Sequence, residues 1–310
     1  MSKTIRDVYG EALAKYGAEN KNVVVLDTDV SGSTKSGLFG KACPERFFNC
    51  GIAEYAMIGM AAGMARNGKI PFVNAFAVFE TTIGLLAART FMSYSGLPVK
   101  MMGAYGGLSD AYDGATHQSL EDIAVMRTLP GVIVMVASDA QITEWMVKKA
   151  IETEKPMYIR LSRDAAMDCH PEGAKFELGK GMILRKGTDL TIIACGLMVG
   201  KALEASEKLE KKGIHARVVD MYTIKPIDTD LIESCAKETK AILTVEEHSV
   251  IGGLGGAVAE VLAKAGSGVP LKMLGMNDCH GESGAYHALL SKYGLDSEAI
   301  IMEAERLLEK

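Results

Sequence analysis

Short apolar runs alternate with longer stretches in which apolar residues recur every three or four positions, and the alternation continues along the whole chain. Strands are predicted at 22–29 (NVVVLDTD), 71–76 (PFVNAF), 99–104, 132–138 (VIVMVAS), 156–162, 189–196, 216–221, 241–247 and 271–276. Helices are predicted between most of them, at 4–16, 53–67, 81–95, 140–151, 199–212, 228–236, 253–265 and 297–309. Near-continuous apolar strands separated by helices imply mainly parallel sheets covered on both faces, an α/β fold. The stretch 163–189 has charge, Pro and Gly but no period, and it divides the strands into five and four. Two domains are therefore expected, 1–165 and 189–310, joined by a linker at 166–188.

Composition removes several function classes. The 310 residues, 48% hydrophobic and 24% charged, suffice for two cores. A net charge of −5 without any Lys/Arg cluster argues against a nucleic-acid partner. The N-terminal MSKTIRDVYGEALAKYG lacks an apolar signal core, and the longest apolar run, Tyr55 to Ala65, is too short to cross a bilayer. A cytoplasmic protein with no membrane partner is expected. The cysteines lie far apart with no CxxC pair, so neither a disulfide framework nor a metal site is expected in this chain.

One carboxylate stands out. GIAEYAMIGMAAGMA, residues 51–65, sets Glu54 in a helix apolar on nearly every face, which belongs inside a protein. An unpartnered carboxylate there costs several kcal/mol or takes up a proton, so some group must use it. In SDAYDGATHQSLEDIAVMRTLPG, residues 109–131, Asp113–Gly114 makes a turn, His117 follows, and Ser119 with Asp122 has the spacing of a helix N-cap. An acid and an imidazole are thus presented on a loop after a strand end, where ligands bind in open α/β sheets; a capped, solvated loop is the competing reading. The Gly-rich turn in VEEHSVIGGLGGAVAEVL, residues 245–262, fails the dinucleotide fingerprint because Val258 takes the third glycine position; it is read as close helix packing. His215 and His248 fit no acid–histidine–nucleophile pattern and are read as structural, and no role is assigned to His170 or His287.

Taken in order, RFFNCGIAEYAMIGMAAGMA, AFAVF (75–79), DGATHQSLEDIAVMRTLPG and YIRLSR (158–163) resemble the C-terminal half of transketolase: its pyrimidine-binding domain followed by its C-terminal domain. The resemblance continues through VVDMYTIKPID and GESGAYHALLSKYGL and so covers nearly the whole chain. It implies thiamine diphosphate as cofactor, with Glu54 hydrogen-bonded to a ring nitrogen of the aminopyrimidine and favouring the imino tautomer that removes the thiazolium proton. It implies Phe76 and Phe79 as aromatics against that ring, although two Phe at a strand end also suit a core, and it adds Asp29 to the cofactor set. Asp113 would orient a sugar hydroxyl, and His117 would lie near the ketose carbonyl. Arg6, Arg163 and Ser33 would clamp a terminal phosphate.

Two departures from the family pattern follow from the same alignment of motifs. Thr82 stands where another aromatic is usual, and Tyr105 stands where a His is usual. Tyrosine donates a hydrogen bond but carries no positive charge, so sulfonated or branched sugars become alternatives to phosphorylated ones. No GDG segment with a following Asn is present to hold Mg²⁺ and the diphosphate. The implied partner is an N-terminal-half subunit carrying the diphosphate-binding domain, in an α2β2 heterotetramer with active sites at subunit interfaces and this chain dimerising. The expected activity is transfer of a two-carbon ketol group from a ketose phosphate, or a related anionic ketose, to an aldose. The β subunit of a 2-oxo acid dehydrogenase is one alternative, disfavoured by the Asp–His motif and the arginine pair; a non-catalytic partner-binding paralogue is another.

Overall fold

The computed structural model describes residues 4–309. Its strands are β1 Val23–Asp27, β2 Phe47–Asn49, β3 Ile70–Phe76, β4 Lys100–Ala104, β5 Ile133–Val136, β6 Met157–Arg160, β7 Met182–Arg185, β8 Leu190–Ala194, β9 Ala216–Asp220, β10 Thr223–Lys225, β11 Ile242–Ser249 and β12 Leu271–Met276. They form a seven-stranded sheet, ordered β10-β5-β6-β4-β3-β1-β2, and a five-stranded sheet, ordered β12-β11-β8-β9-β7. All pairings are parallel except β10 with β5 and β7 with β9, both at sheet edges. Every residue of β1, β4, β5, β6, β8 and β9 is buried, as strands covered on both faces require.

The covering helices explain their own apolar spacing. On one face of the first sheet, helices Ile5–Glu19 and Ala140–Glu152 pack together and bury Tyr9, Leu13, Ile142 and Met146. On the other, helix Glu54–Arg66 lies along β3 and buries Met57, Ile58 and Ala61. Each of the two hydrophobic clusters takes residues from both halves of the chain, so the cores are continuous across them.

Several elements differ from the sequence expectation. Strands β2, β7 and β10 are three or four residues long, too short to show a period. Strand β7 falls inside the stretch expected as linker, and β10 crosses back from the C-terminal half to pair with β5. The single helix expected at 81–95 is three pieces: Ala77–Thr82, Leu85–Ala87 and a wide-turned segment, Ala88–Tyr94. At the break, a Cβ on Gly84 would lie 2.6 Å from Ile58 Cδ1, so the helix Glu54–Arg66 reaches contact only because Gly84 has no side chain. Ser119 does not cap a helix: the helix Asp122–Thr128 starts after Glu121, with no side-chain cap. Asp122 instead sits 2.8 Å from Arg160 Nε and accepts a hydrogen bond from the Tyr158 hydroxyl at 2.6 Å. The helix Glu54–Arg66 is not buried all round either, because Tyr55, Ala56, Met60 and Gly63 are exposed. That face is apolar and open.

The glycine-rich turn has a role close to its expected one. A Cβ on Gly255 would lie 2.7 Å from Met273 Sδ, so helix Leu254–Lys264 approaches β12 at glycine distance. The Glu246 carboxylate accepts from the Leu254 and Gly255 amides at 2.6 and 2.7 Å. It occupies the helix N-terminus where a phosphate would otherwise bind.

Candidate active site at the carboxyl edge of the first sheet

Strands β2 and β3 lie on opposite sides of β1, so the chain reverses direction across the sheet there, and crevices outside strand carboxyl ends at such points bind ligands. The predicted residues gather around this edge. Phe76 ends β3, and Phe79 follows one helical turn on. Tyr105 directly follows β4 in a left-handed conformation, φ +64°, and its ring stacks on Phe76 at 4.7 Å and 17°. His117 meets Phe76 and Phe79 edge-on at 6.0 and 5.3 Å. Its Nδ1 is 2.9 Å from the Thr116 hydroxyl, which leaves Nε2 available.

Both arginines converge on the same tyrosine. The Arg6 guanidinium lies 5.4 Å from the Tyr105 ring centre and hydrogen-bonds the Tyr105 hydroxyl; Arg163 lies 5.1 Å from the same ring. Ser33 joins them through its carbonyl rather than its hydroxyl, accepting from Arg6 Nη1 at 3.4 Å and from the Tyr105 hydroxyl at 3.3 Å. Arg163 Nη1 is 2.5 Å from Asp110 Oδ1 and 3.4 Å from Asp113 Oδ2. Asp113 is half exposed, whereas Asp110 is fully buried.

Glu54 opens its helix and is buried to 4% exposure. Its carboxyl has no side-chain hydrogen-bond partner among the described residues, and the helix N-terminus favours negative charge at that point. The helix packs against β3 and against Ala77–Thr82, which bears Phe79. One expected member, Asp29, stands apart, and so does Thr82, the position where the family pattern has an aromatic. Asp29 is exposed at the end of β1 with φ +66° and accepts from Asn49 at 2.7 Å, outside the aromatic cluster. Thr82 is exposed and bonds back to the Val78 carbonyl within its own helix.

Sequence reasoning missed two carboxyls. Asp110 holds Arg163, and burial pushes it up to about 6, with Asp113 adding to the effect and Arg163 opposing it. Glu80 is fully buried with neither oxygen hydrogen-bonded, and burial, then the charges of Asp27 and Glu54, raise it well above the usual carboxylate range. Both lie next to residues the motifs had singled out. Position alone does not reveal burial.

The family model described as the transketolase pyrimidine binding domain matches residues 1–167, and the one for the transketolase C-terminal domain matches residues 179–300. This chain belongs to the transketolase family. Among transketolase relatives, one of the subunits of the apulose-4-phosphate transketolase of Phocaeicola vulgatus is 40% identical over 98% of this chain and 97% of its own. A 6-deoxy-6-sulfo-D-fructose transketolase subunit of a Clostridium species is 38% identical over 99% and 95%. A solved split-gene transketolase, described as an inactive beta4 tetramer, superposes with a TM-score of 0.91 at 47% identity, covering 98% of each chain. Among the described residues, no helix is long and apolar enough to cross a membrane.

Proposed function

We propose that this chain is the C-terminal subunit of a two-chain, thiamine-diphosphate-dependent transketolase that moves a two-carbon ketol group from an anionic ketose to an aldose. The observation that carries the reading is Glu54: a residue only 4% exposed whose carboxyl bonds no other side chain among the described residues, at a helix N-terminus beside the element that bears Phe79. Such a carboxyl fits a ring nitrogen that shares its proton. Thiamine diphosphate would supply the electron sink for breaking the bond beside the ketose carbonyl. Phe76 and Phe79 would pack on the aminopyrimidine, and His117 Nε2 would exchange a proton with the substrate oxygen. Asp113 would orient a sugar hydroxyl, and Arg6, Arg163 and Tyr105 would hold the anionic end.

The cofactor's other end calls for hard oxygen ligands around Mg²⁺. Among the described residues, no three His, Cys, Asp or Glu side chains are placed to hold a metal. We assign the metal and diphosphate ligands to an N-terminal-half partner subunit, in an α2β2 assembly in the cytoplasm. The relatives spanned end to end are themselves named as subunits, which supports this assignment and weighs against the 2-oxo acid dehydrogenase β subunit. The exposed apolar residues Ile52, Tyr55, Met60, Ile83, Leu86 and Tyr94 supply a face for the assembly.

The test is ketol transfer from D-xylulose 5-phosphate to D-ribose 5-phosphate with thiamine diphosphate and Mg²⁺, by this chain alone and with a diphosphate-domain subunit. Activity is expected in the pair only. Glu54→Ala in the pair should lower the rate by about a hundredfold or more while leaving the melting temperature in place. Turnover that survives this substitution overturns the cofactor assignment.

A further inference from the structure

Two guanidiniums flank one tyrosine ring, yet they are not equivalent. Arg6 has no carboxylate within ion-pair distance among the described residues, and its Nε is buried without a hydrogen-bond partner. Arg163 is already held: Asp110 Oδ1 lies 2.5 Å from its Nη1, and the Asp113 carboxyl approaches the same nitrogen. Asp110 is fully buried, and its second oxygen, Oδ2, has no hydrogen-bond partner. An oxyanion arriving at this pair therefore meets one cation with no direct carboxylate partner, though with the Asp7 charge nearby, a second cation occupied by a carboxylate, and that carboxylate's own repulsion.

We propose that Asp110 sets the anion affinity of this opening by holding Arg163 away from an incoming oxyanion, and that it frees the guanidinium when it takes up a proton. Binding of a sugar bearing a phosphate or sulfonate end is then coupled to proton uptake by the protein. The proton goes to a carboxylate oxygen of Asp110, and the guanidinium exchanges that carboxylate for the ligand's oxygens. This rests on reading the opening as the anion end of the sugar site, and it gives that site its substrate class.

The surroundings favour the switch. Burial leaves Asp110 with a pKa of about 6, so a nearby dianion need raise it only a little further for the proton to bind near neutrality. Arg163 and Asp113 face Asp110 directly, with Arg6 and the Tyr105 hydroxyl beyond them. From the C-terminal half, segment 281–286 packs on the loop; its Glu282 is paired with Lys292, and Tyr286 is turned toward Glu247. None of these brings a second free cation to Asp110. Asp110 is thus a positioning residue, acting on the ligand through Arg163.

Sulfate tests the device apart from catalysis, because its charge is fixed across the relevant pH range. Titration calorimetry of the full chain with sulfate, in buffers of different ionisation heat, should show proton uptake on binding and affinity falling about tenfold from about pH 5.5 to about pH 7.5. Asp110→Asn, which keeps the shape, should bind sulfate about tenfold tighter at the higher pH with no proton uptake. Asp110→Val, with folding checked by its melting curve, should also lose the proton uptake. In the assembled enzyme, Asp110→Asn should lower the KM for D-xylulose 5-phosphate relative to that for uncharged D-xylulose, and a sulfonated ketose should respond less steeply to pH than sulfate. Proton uptake that persists in Asp110→Asn, an unchanged affinity, or no sulfate binding overturns the proposal. Absence of ketol transfer alongside normal sulfate behaviour overturns the transketolase reading and leaves Asp110's role supported.

Discussion

Glu80 lies one position beyond Phe79, and its environment makes a stability prediction with a definite sign. Its folded carboxyl is raised well above the ordinary value by burial, then by Asp27 and Glu54. Between those two values the unfolded chain releases a proton that the folded chain keeps, so the stability it contributes at low pH is lost as pH rises toward the folded value. Glu80→Gln removes that loss. Its melting temperature should exceed that of the unsubstituted chain at neutral pH, and the difference should vanish near and below pH 4.5. An advantage independent of pH would count against a protonated Glu80. The comparison of Glu80 with Glu54 also shows what the sequence makes legible in a site. Glu54, Asp113 and His117 could be proposed from the sequence because the family motifs they match set residue type and spacing along the chain. Glu80 and Asp110 were not, because burial and the charges beside them come from elements far away in sequence: β1 and helix Glu54–Arg66 for the first, and the loop at Arg163 for the second.

At the scale of elements, the segment after β6 is clasped rather than free. His170 hydrogen-bonds Asp139, the N-cap of helix Ala140–Glu152, at 2.7 Å and faces Asp220, at the end of β9, at 3.3 Å; Asp139 also accepts from the amides of Cys169 and His170. Although burial opposes it, these two carboxylates raise His170 to about 9. The stability it contributes is complete below its ordinary value near 6.5 and is lost as pH rises through about 9. Asp220, raised by burial, slopes the same way. Asp139, lowered by His170 against the effect of burial, loses its contribution only as pH falls through the acid range. His170→Gln should therefore cost roughly 3–5 kcal/mol at neutral pH, by leaving the carboxylates uncompensated, and should flatten the fall in melting temperature between pH 7 and pH 10, read by calorimetry. An unaltered alkaline limb would exclude the clasp. Elements were legible where they were long and locally determined, as in β1, β8 and the helix Met198–Glu210. They were illegible where distant partners take part: Gly84 at the helix break packs against Ile58, Arg160 pairs with Asp122, and β5 and β9 recruit the short strands β10 and β7.

For the whole molecule, the apolar face formed by helix Glu54–Arg66 and residues 83–94 is the surface most exposed to change. Leu86 is 60% exposed and Tyr94 88%, beside a groove of about 840 Å³ lined by Leu85, Arg89, Val125, Leu129 and Pro130. Leu86→Asp should leave the melting temperature of the isolated chain in place and weaken assembly about tenfold or more, measured by sedimentation of the chain with its partner subunit. An assembly indifferent to this charge would move the interface elsewhere. The two-domain pattern was readable in the sequence as two series of strands, but the continuity between them was not. Strand β10 belongs by sequence to the second series and by hydrogen bonding to the first sheet. A cut through residues 166–181 would therefore leave a six-stranded sheet with the edge of β5 bare, inviting the first stray strand to fill it. The two halves close one sheet together, however separately their folds are drawn.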